Sequence, residues 1–159
     1  MTPDRFEDGK PMLLAGLRRR HTFAGAESGI AAQWREFLSE QQIAGRVGSL
    51  FYGVMCGADA HGLEYMCGVE VESFDALAPE TGRMGVPAQG YAVFRHPKES
   101  SLGSTWQQIL AWLTEGTYAS AHTPDFERYP SAPDLSSKLS GVEIWVGVVE
   151  KGAIDASGA

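Results

Sequence analysis

Basic charge, cysteine, histidine and long apolar runs are all scarce in this chain, and each scarcity removes a class of function. Thirteen Lys and Arg stand against 20 Asp and Glu, a formal net charge of -7. A nucleic-acid surface needs clustered Lys and Arg, and the one basic run, Arg18-Arg19-Arg20, falls inside an expected strand, where it reads as a solvated face or edge. Direct nucleic-acid contact is therefore not expected. No apolar stretch approaches the roughly 20 residues of a membrane span, so no membrane partner is expected. The opening MTPDRFEDGKP is polar and acidic, unlike a signal peptide, which makes the cytoplasm the expected location. Two cysteines, Cys56 and Cys67, make no disulfide framework and read as free, buried thiols. The four histidines are not spaced as a ligand set, and no phosphate-binding loop, GxGxxG, GxSxG or HExxH occurs. Neither a metal nor a cofactor is expected. What remains is 43% hydrophobic and 21% charged, a globular balance, in 159 residues, enough for one domain or two small fused halves.

Hydropathy patterning divides the chain. Residues 1–10 read as a loose lead-in, 11–150 as one domain and 151–159 as a frayed tail. A strand is expected from Pro11 to Phe23, then a helix from about Glu27 to Gln42, capped by Ser28, with Ile30, Trp34, Phe37, Leu38 and Gln41 on its buried stripe. Ser49–Gly57 and Leu63–Ser73 read as a hairpin. Residues 74–87, with two prolines and two glycines, read as a connector between halves of about 11–73 and 88–150. Ala88–His96 reads as a strand, and a helix capped by Ser101 or Ser104 runs to about Thr114, with Trp106, Ile109, Leu110 and Leu113 inward and Trp112 to one flank. Asp125–Tyr129 is extended, and Val142–Val149 is a strand.

The order strand, helix, strand, strand occurs twice. Cys67-Gly68-Val69-Glu70-Val71 aligns with Ser140-Gly141-Val142-Glu143-Ile144. The expected fold is α+β: two βαββ halves related by a pseudo-twofold axis, each an antiparallel sheet with one covering helix, the bare faces meeting in a cleft.

Glu143 is the anomaly. In Val142-Glu143-Ile144-Trp145-Val146-Gly147-Val148 the aliphatics share one face, so a carboxylate and an indole share the other. A strand carboxylate needs compensation. Either Arg95, Arg128 or a tyrosine hydroxyl pairs with it, or the face opens onto a pocket. A carboxylate beside aromatic rings suits an organic cation. Candidate ring contributors are Trp145, Tyr91, Trp112, Phe51, Tyr52, Tyr65 and Phe126, with Glu70 the counterpart of Glu143 in the other half. Glu127 reads as a structural or surface carboxylate.

Four segments carry a family resemblance: Gly90-Tyr91-Ala92-Val93-Phe94-Arg95-His96, the helix with Trp106 and Trp112, Asp125-Phe126-Glu127-Arg128-Tyr129, and Val142-Glu143-Ile144-Trp145-Val146. In their order and spacing the chain resembles the GyrI-like effector-binding domains, found on AraC- and MerR-type transcription regulators and as stand-alone proteins. The resemblance spans roughly residues 10–150. It implies the duplicated, SH2-like βαββ fold and an aromatic pocket in which Glu143 takes the place of the family's last-strand glutamate and binds cationic or amphipathic compounds. Where the family often has proline this chain has Gly147. With no room for a helix-turn-helix segment, the stand-alone type is expected. The expected function is binding of a lipophilic or cationic small molecule by Glu143, Trp145, Tyr91, Trp112, Tyr52, Phe51 and Glu70. Two alternatives stand beside it. One is a hydrolase of reactive small molecules, with Glu143 as base and Tyr91 polarising the substrate. The other is an interaction module for a transcription or topoisomerase-type protein partner.

Overall fold

A computed structural model describes residues 1–40 and 42–152. Strands β1 (Arg5–Gly9) and β2 (Met12–Thr22) precede helix α1 (Ala26–Ser39). Then come β3 (Phe51–Ala58), β4 (Gly62–Glu70), β5 (Gly82–Val86) and β6 (Gln89–Arg95). Helix α2 (Leu102–Glu115) is followed by β7 (Tyr118–Ser120), β8 (Asp125–Tyr129) and β9 (Glu143–Glu150). The expected stripe residue Gln41 and residues 153–159 of the expected tail lie outside the described residues.

The strands form one antiparallel sheet in the order β1-β6-β9-β8-β3-β4-β2-β5, with β7 pairing on β9. This corrects the expectation of two sheets whose bare faces meet. The join is edge to edge: β3 and β8 pair from Phe51 opposite Tyr129 to Met55 opposite Asp125. Each strand thereby satisfies backbone groups that a separate sheet would leave at an exposed edge.

Two segments read as irregular are strands. The lead-in contains β1, whose Arg5 lies opposite Val93 and Gly9 opposite Gln89. Its charged residues hid it, because Arg5 and Glu7 face one side and exposed Phe6 the other. The connector contains β5, laid along β2 from Met12 opposite Val86 to Gly16 opposite Gly82.

Both helices cover the same face. Trp34 and Phe37 of α1 pack with Tyr65, Cys67, Val69 and Tyr129. Ile109 of α2 packs with Phe94, Ile144 and Val146. Helix α2 is capped as expected, Ser101 Oγ accepting the Ser104 N–H at 3.1 Å. Helix α1 starts ahead of Ser28: Gly25 is its N-cap, and the Gly25 N–H is taken by Thr22 Oγ1. On the other face no helix packs among the described residues, and Leu14, Tyr52, Val54, Met66, Tyr91, Val93 and Phe126 bury one another. Both thiols are free, Cys67 being buried and Cys56 half-buried, and burial raises their pKa values, that of Cys56 to about 11. No helix among the described residues is long and apolar enough to cross a membrane.

Candidate functional site

Glu143 opens β9 on the helix-free face, directly opposite Arg95 of β6 and Arg128 of β8. Arg5 reaches it from β1 with two bonds, Nη1 to Oε2 at 2.6 Å and Nη2 to Oε1 at 3.1 Å. Arg128 Nη2 adds a third, to Oε1 at 2.5 Å. The alternation holds, for Trp145 shares the face and its Nε1 lies 3.3 Å from Oε1. Both guanidiniums also stand over the Trp145 ring, Arg5 at 5.6 Å and Arg128 at 4.6 Å from its centre. The hydrogen bonds from Arg5, joined by the Arg128 charge, hold the Glu143 carboxyl below its usual range. The carboxylate–indole pair therefore already holds two cations, both from this chain.

The other ligand candidates divide between the faces. Tyr91 and Tyr52 lie on the face of Glu143, in a ring cluster with Phe126 and Trp145. Tyr52 meets Phe126 at 5.4 Å, and Tyr91 meets Trp145 at 5.3 Å. Burial raises the Tyr91 pKa, and its hydroxyl bonds Gln89. Glu70, opposite Leu14, belongs to this face too and stands near Tyr52. Phe51 and Trp112 do not join them. Phe51 packs on Trp34 of α1, and Trp112 packs among Phe6, Phe94 and Tyr118. A strand reverses side-chain direction at every residue, so neighbours Phe51 and Tyr52 cannot share a pocket.

A second carboxylate stands one step along the β8–β9 ladder, on the helix-covered face. Glu127 is 3% exposed, the one buried acidic residue among those described. Oε1 accepts from Tyr65 Oη at 2.8 Å and Tyr129 Oη at 2.7 Å; Oε2 accepts from Trp106 Nε1 at 2.9 Å. Trp34 Nε1 donates to Tyr65 Oη at 2.9 Å. An indole N–H can only donate, so the Tyr65 proton is turned toward Glu127. One continuous chain of bonds thus runs from α1 through β4 and β8 to α2. Gly53, opposite Glu127 on β3, makes the room: a Cβ there would come within 1.9 Å of Tyr65 Oη and 2.7 Å of Glu127 Oε1. All three donors to Glu127 are neutral, and no Lys or Arg bonds it among the described residues. Burial raises its pKa, against the lowering pull of those donors. Tyr65, Tyr129 and Trp34 are 1% exposed, while Trp106 and Phe51 are half-buried.

Of the residues in this network only Tyr65 is among the expected ring contributors; Glu127, Tyr129, Trp34 and Trp106 are not among the expected site residues. A signal was present: period two puts Glu127 on the face of Tyr129 and opposite Arg128, so the adjacent guanidinium cannot neutralise it. No group of His, Cys, Asp or Glu that could hold a metal occurs among the described residues.

Comparison with known proteins agrees with this architecture. The profile of the GyrI-like small molecule binding domain matches residues 3–149. No curated protein sequence matches the chain. Among solved structures, SAV2435 bound to tetraphenylphosphonium superposes with a TM-score of 0.66 at 18% identity, over 91% of this chain and 93% of that one. An integron cassette protein from the mobile metagenome of Vibrio cholerae gives 0.66 at 20%, over 91% and 95%. The EcmrR C-terminal domain gives 0.60 at 11%, over 92% and 96%. At these identities the likeness is one of fold. The chain belongs to the GyrI-like small-molecule binding family, whose profile spans nearly all of it.

Proposed function

We propose that this GyrI-like domain binds a lipophilic organic cation, with Glu127 as counter-charge and Trp34, Tyr65, Trp106 and Tyr129 as the surrounding rings. The observation that carries the reading is the Glu127 carboxylate, buried and bonded only by neutral donors, the hydroxyls and indole N–H of the surrounding aromatic side chains. A buried carboxylate without a cation is costly. A ligand cation offsets that cost, and the ring faces attract it by about 0.5–2 kcal/mol per contact. The tetraphenylphosphonium bound by SAV2435 supports this ligand class. Glu143, the sequence-based candidate, is the weaker counter-charge because a ligand there must first displace Arg5 or Arg128. The rings around Glu127 fill the space between the helices, so binding requires them to part. Half-buried Trp106 and Phe51 are the members nearest solvent. Glu127 and Gly53 face each other where β8 meets β3.

Tryptophan fluorescence titrated with methyltriphenylphosphonium, and separately with neutral triphenylphosphine oxide, tests the reading. Glu127→Gln is expected to weaken the cation about tenfold or more while leaving the neutral compound nearly unchanged. Equal loss of both would remove the electrostatic part. Loss in Glu143→Gln instead would return the site to the helix-free face. Action through a protein partner of the transcription or topoisomerase class is a separate reading, tested by pull-down with and without the phosphonium.

A further inference from the structure

A cleft of about 450 Å³ opens where β6, β8 and β9 reach the rim of the sheet. Its lining combines charged Arg95, Arg128 and Glu143 with apolar Leu50 and Pro130. The charges are unevenly matched. Arg95 stands directly opposite Glu143 in the ladder but forms no ion pair with it. Arg5 and Arg128 already occupy both Glu143 oxygens. Two neighbouring acids are committed as well: Glu7 bonds Arg5 at 2.8 Å, and Asp4 Oδ2 accepts the backbone N–H of Arg95 at 2.7 Å. His96, also in the lining, is tied through Nδ1 to Thr105 at 2.9 Å, and burial lowers its pKa, which favours the neutral ring. The Arg95 guanidinium makes no side-chain hydrogen bond or ion pair among the described residues. It is exposed and lines a cleft that also presents apolar Leu50 and Pro130.

From this arrangement we infer a second binding site, for a small organic anion with a carboxylate or phosphate head and a compact apolar body. The head meets Arg95 and the donors of Arg128 not turned to Glu143, and the body lies on Leu50 and Pro130. A guanidinium presents paired N–H donors whose spacing matches two oxygens of a carboxylate or phosphate. The net charge of -7 repels anions at long range, so selection here depends on contact. The site shares no residue with the Glu127 rings and does not depend on the cation reading.

Saturation-transfer NMR and calorimetry on the full chain, with benzoate, phenyl phosphate, inorganic phosphate and benzylamine, test the inference. Benzoate or phenyl phosphate, whichever head is preferred, is expected to bind. Arg95→Gln is expected to weaken it about tenfold or more, and Glu127→Gln to leave it unchanged. Because Arg95 is exposed, its substitution is compatible with folding, which circular dichroism checks. Binding that survives Arg95→Gln, or benzylamine binding as well as benzoate, overturns the site. Inorganic phosphate binding as tightly as phenyl phosphate overturns the role given to Leu50 and Pro130.

Discussion

Glu127 and Glu143 sit one ladder step apart on neighbouring strands, and the chain treats them in opposite ways. Glu143 faces the side without helices and is bonded by two guanidiniums and an indole N–H. Glu127 faces the helices and receives three bonds, every one from a neutral group. Their pKa values move apart accordingly, Glu143 downward through its arginines and Glu127 upward through burial. The lesson is that a carboxylate among aromatic rings is not by itself a cation site. What matters is whether the protein has already supplied the cation. At Glu143 it has, and at Glu127 it has not.

The strongest way to break this contrast is at Gly53. A methyl group there collides with Tyr65 Oη and Glu127 Oε1 and leaves the Glu143 cluster untouched. Gly53→Ala is expected to cost about 3 kcal/mol in urea unfolding, through overpacking and lost buried hydrogen bonds. A loss below about 1 kcal/mol would mean that the network is less tightly held than its distances indicate.

The pH dependence of stability comes next in size, and its two limbs should separate the two acids. For Glu143, whose folded pKa is lowered, the contribution is full above the usual 4.5 and is lost as pH falls through the lowered value. For Glu127, whose folded pKa is raised, stability is highest below 4.5 and declines as pH rises toward the raised value, by up to about 1.4 kcal/mol per pH unit. Asp125 has the same sign, its carboxyl being pushed by burial from 3.8 up to about 6, so the measurement belongs in an Asp125→Asn background. Glu127→Gln should flatten the decline above pH 4.5 and Glu143→Gln the loss below it. The opposite assignment would reverse the comparison.

The smallest effect is the stability change in Glu143→Gln at neutral pH. Its arginine partners are about one-third exposed, so the loss should stay under about 1 kcal/mol and shrink with added salt. A large, salt-insensitive loss would show that Glu143, too, is effectively a buried charge.

Much of the architecture could be read from residue patterns. The helical stripes through Trp34 and Ile109, the Ser101 cap, the hairpin and the pairing of Glu143 with Trp145 on one face all follow from local periodicity. Arg128 was also among the partners weighed for Glu143. Arg5 was not, because its strand carries no apolar alternation and acquires its identity only by pairing with β6. The Glu127 network escapes the sequence pattern for a related reason. Period two establishes that Glu127 and Tyr129 share a face, but only tertiary packing decides which face the helices cover. Phe51 and Trp112 were misplaced with respect to Glu143 by that same limit, since composition marks a ring as buried without saying beside what.

Strand β9 has a consequence for how the molecule is made. It lies between β6 and β8, and through those two strands it connects β1–β6 with β8-β3-β4-β2-β5. Yet it is the last of the described strands to emerge in synthesis. Until it arrives, β6 and β1 have no place on the rest of the sheet, and the edge of β8 stays open. Such long-range closure is slow and leaves strand edges vulnerable in the meantime. Ribosome-bound chains lacking residues 143–150 should therefore be the most aggregation-prone stage in this protein's life.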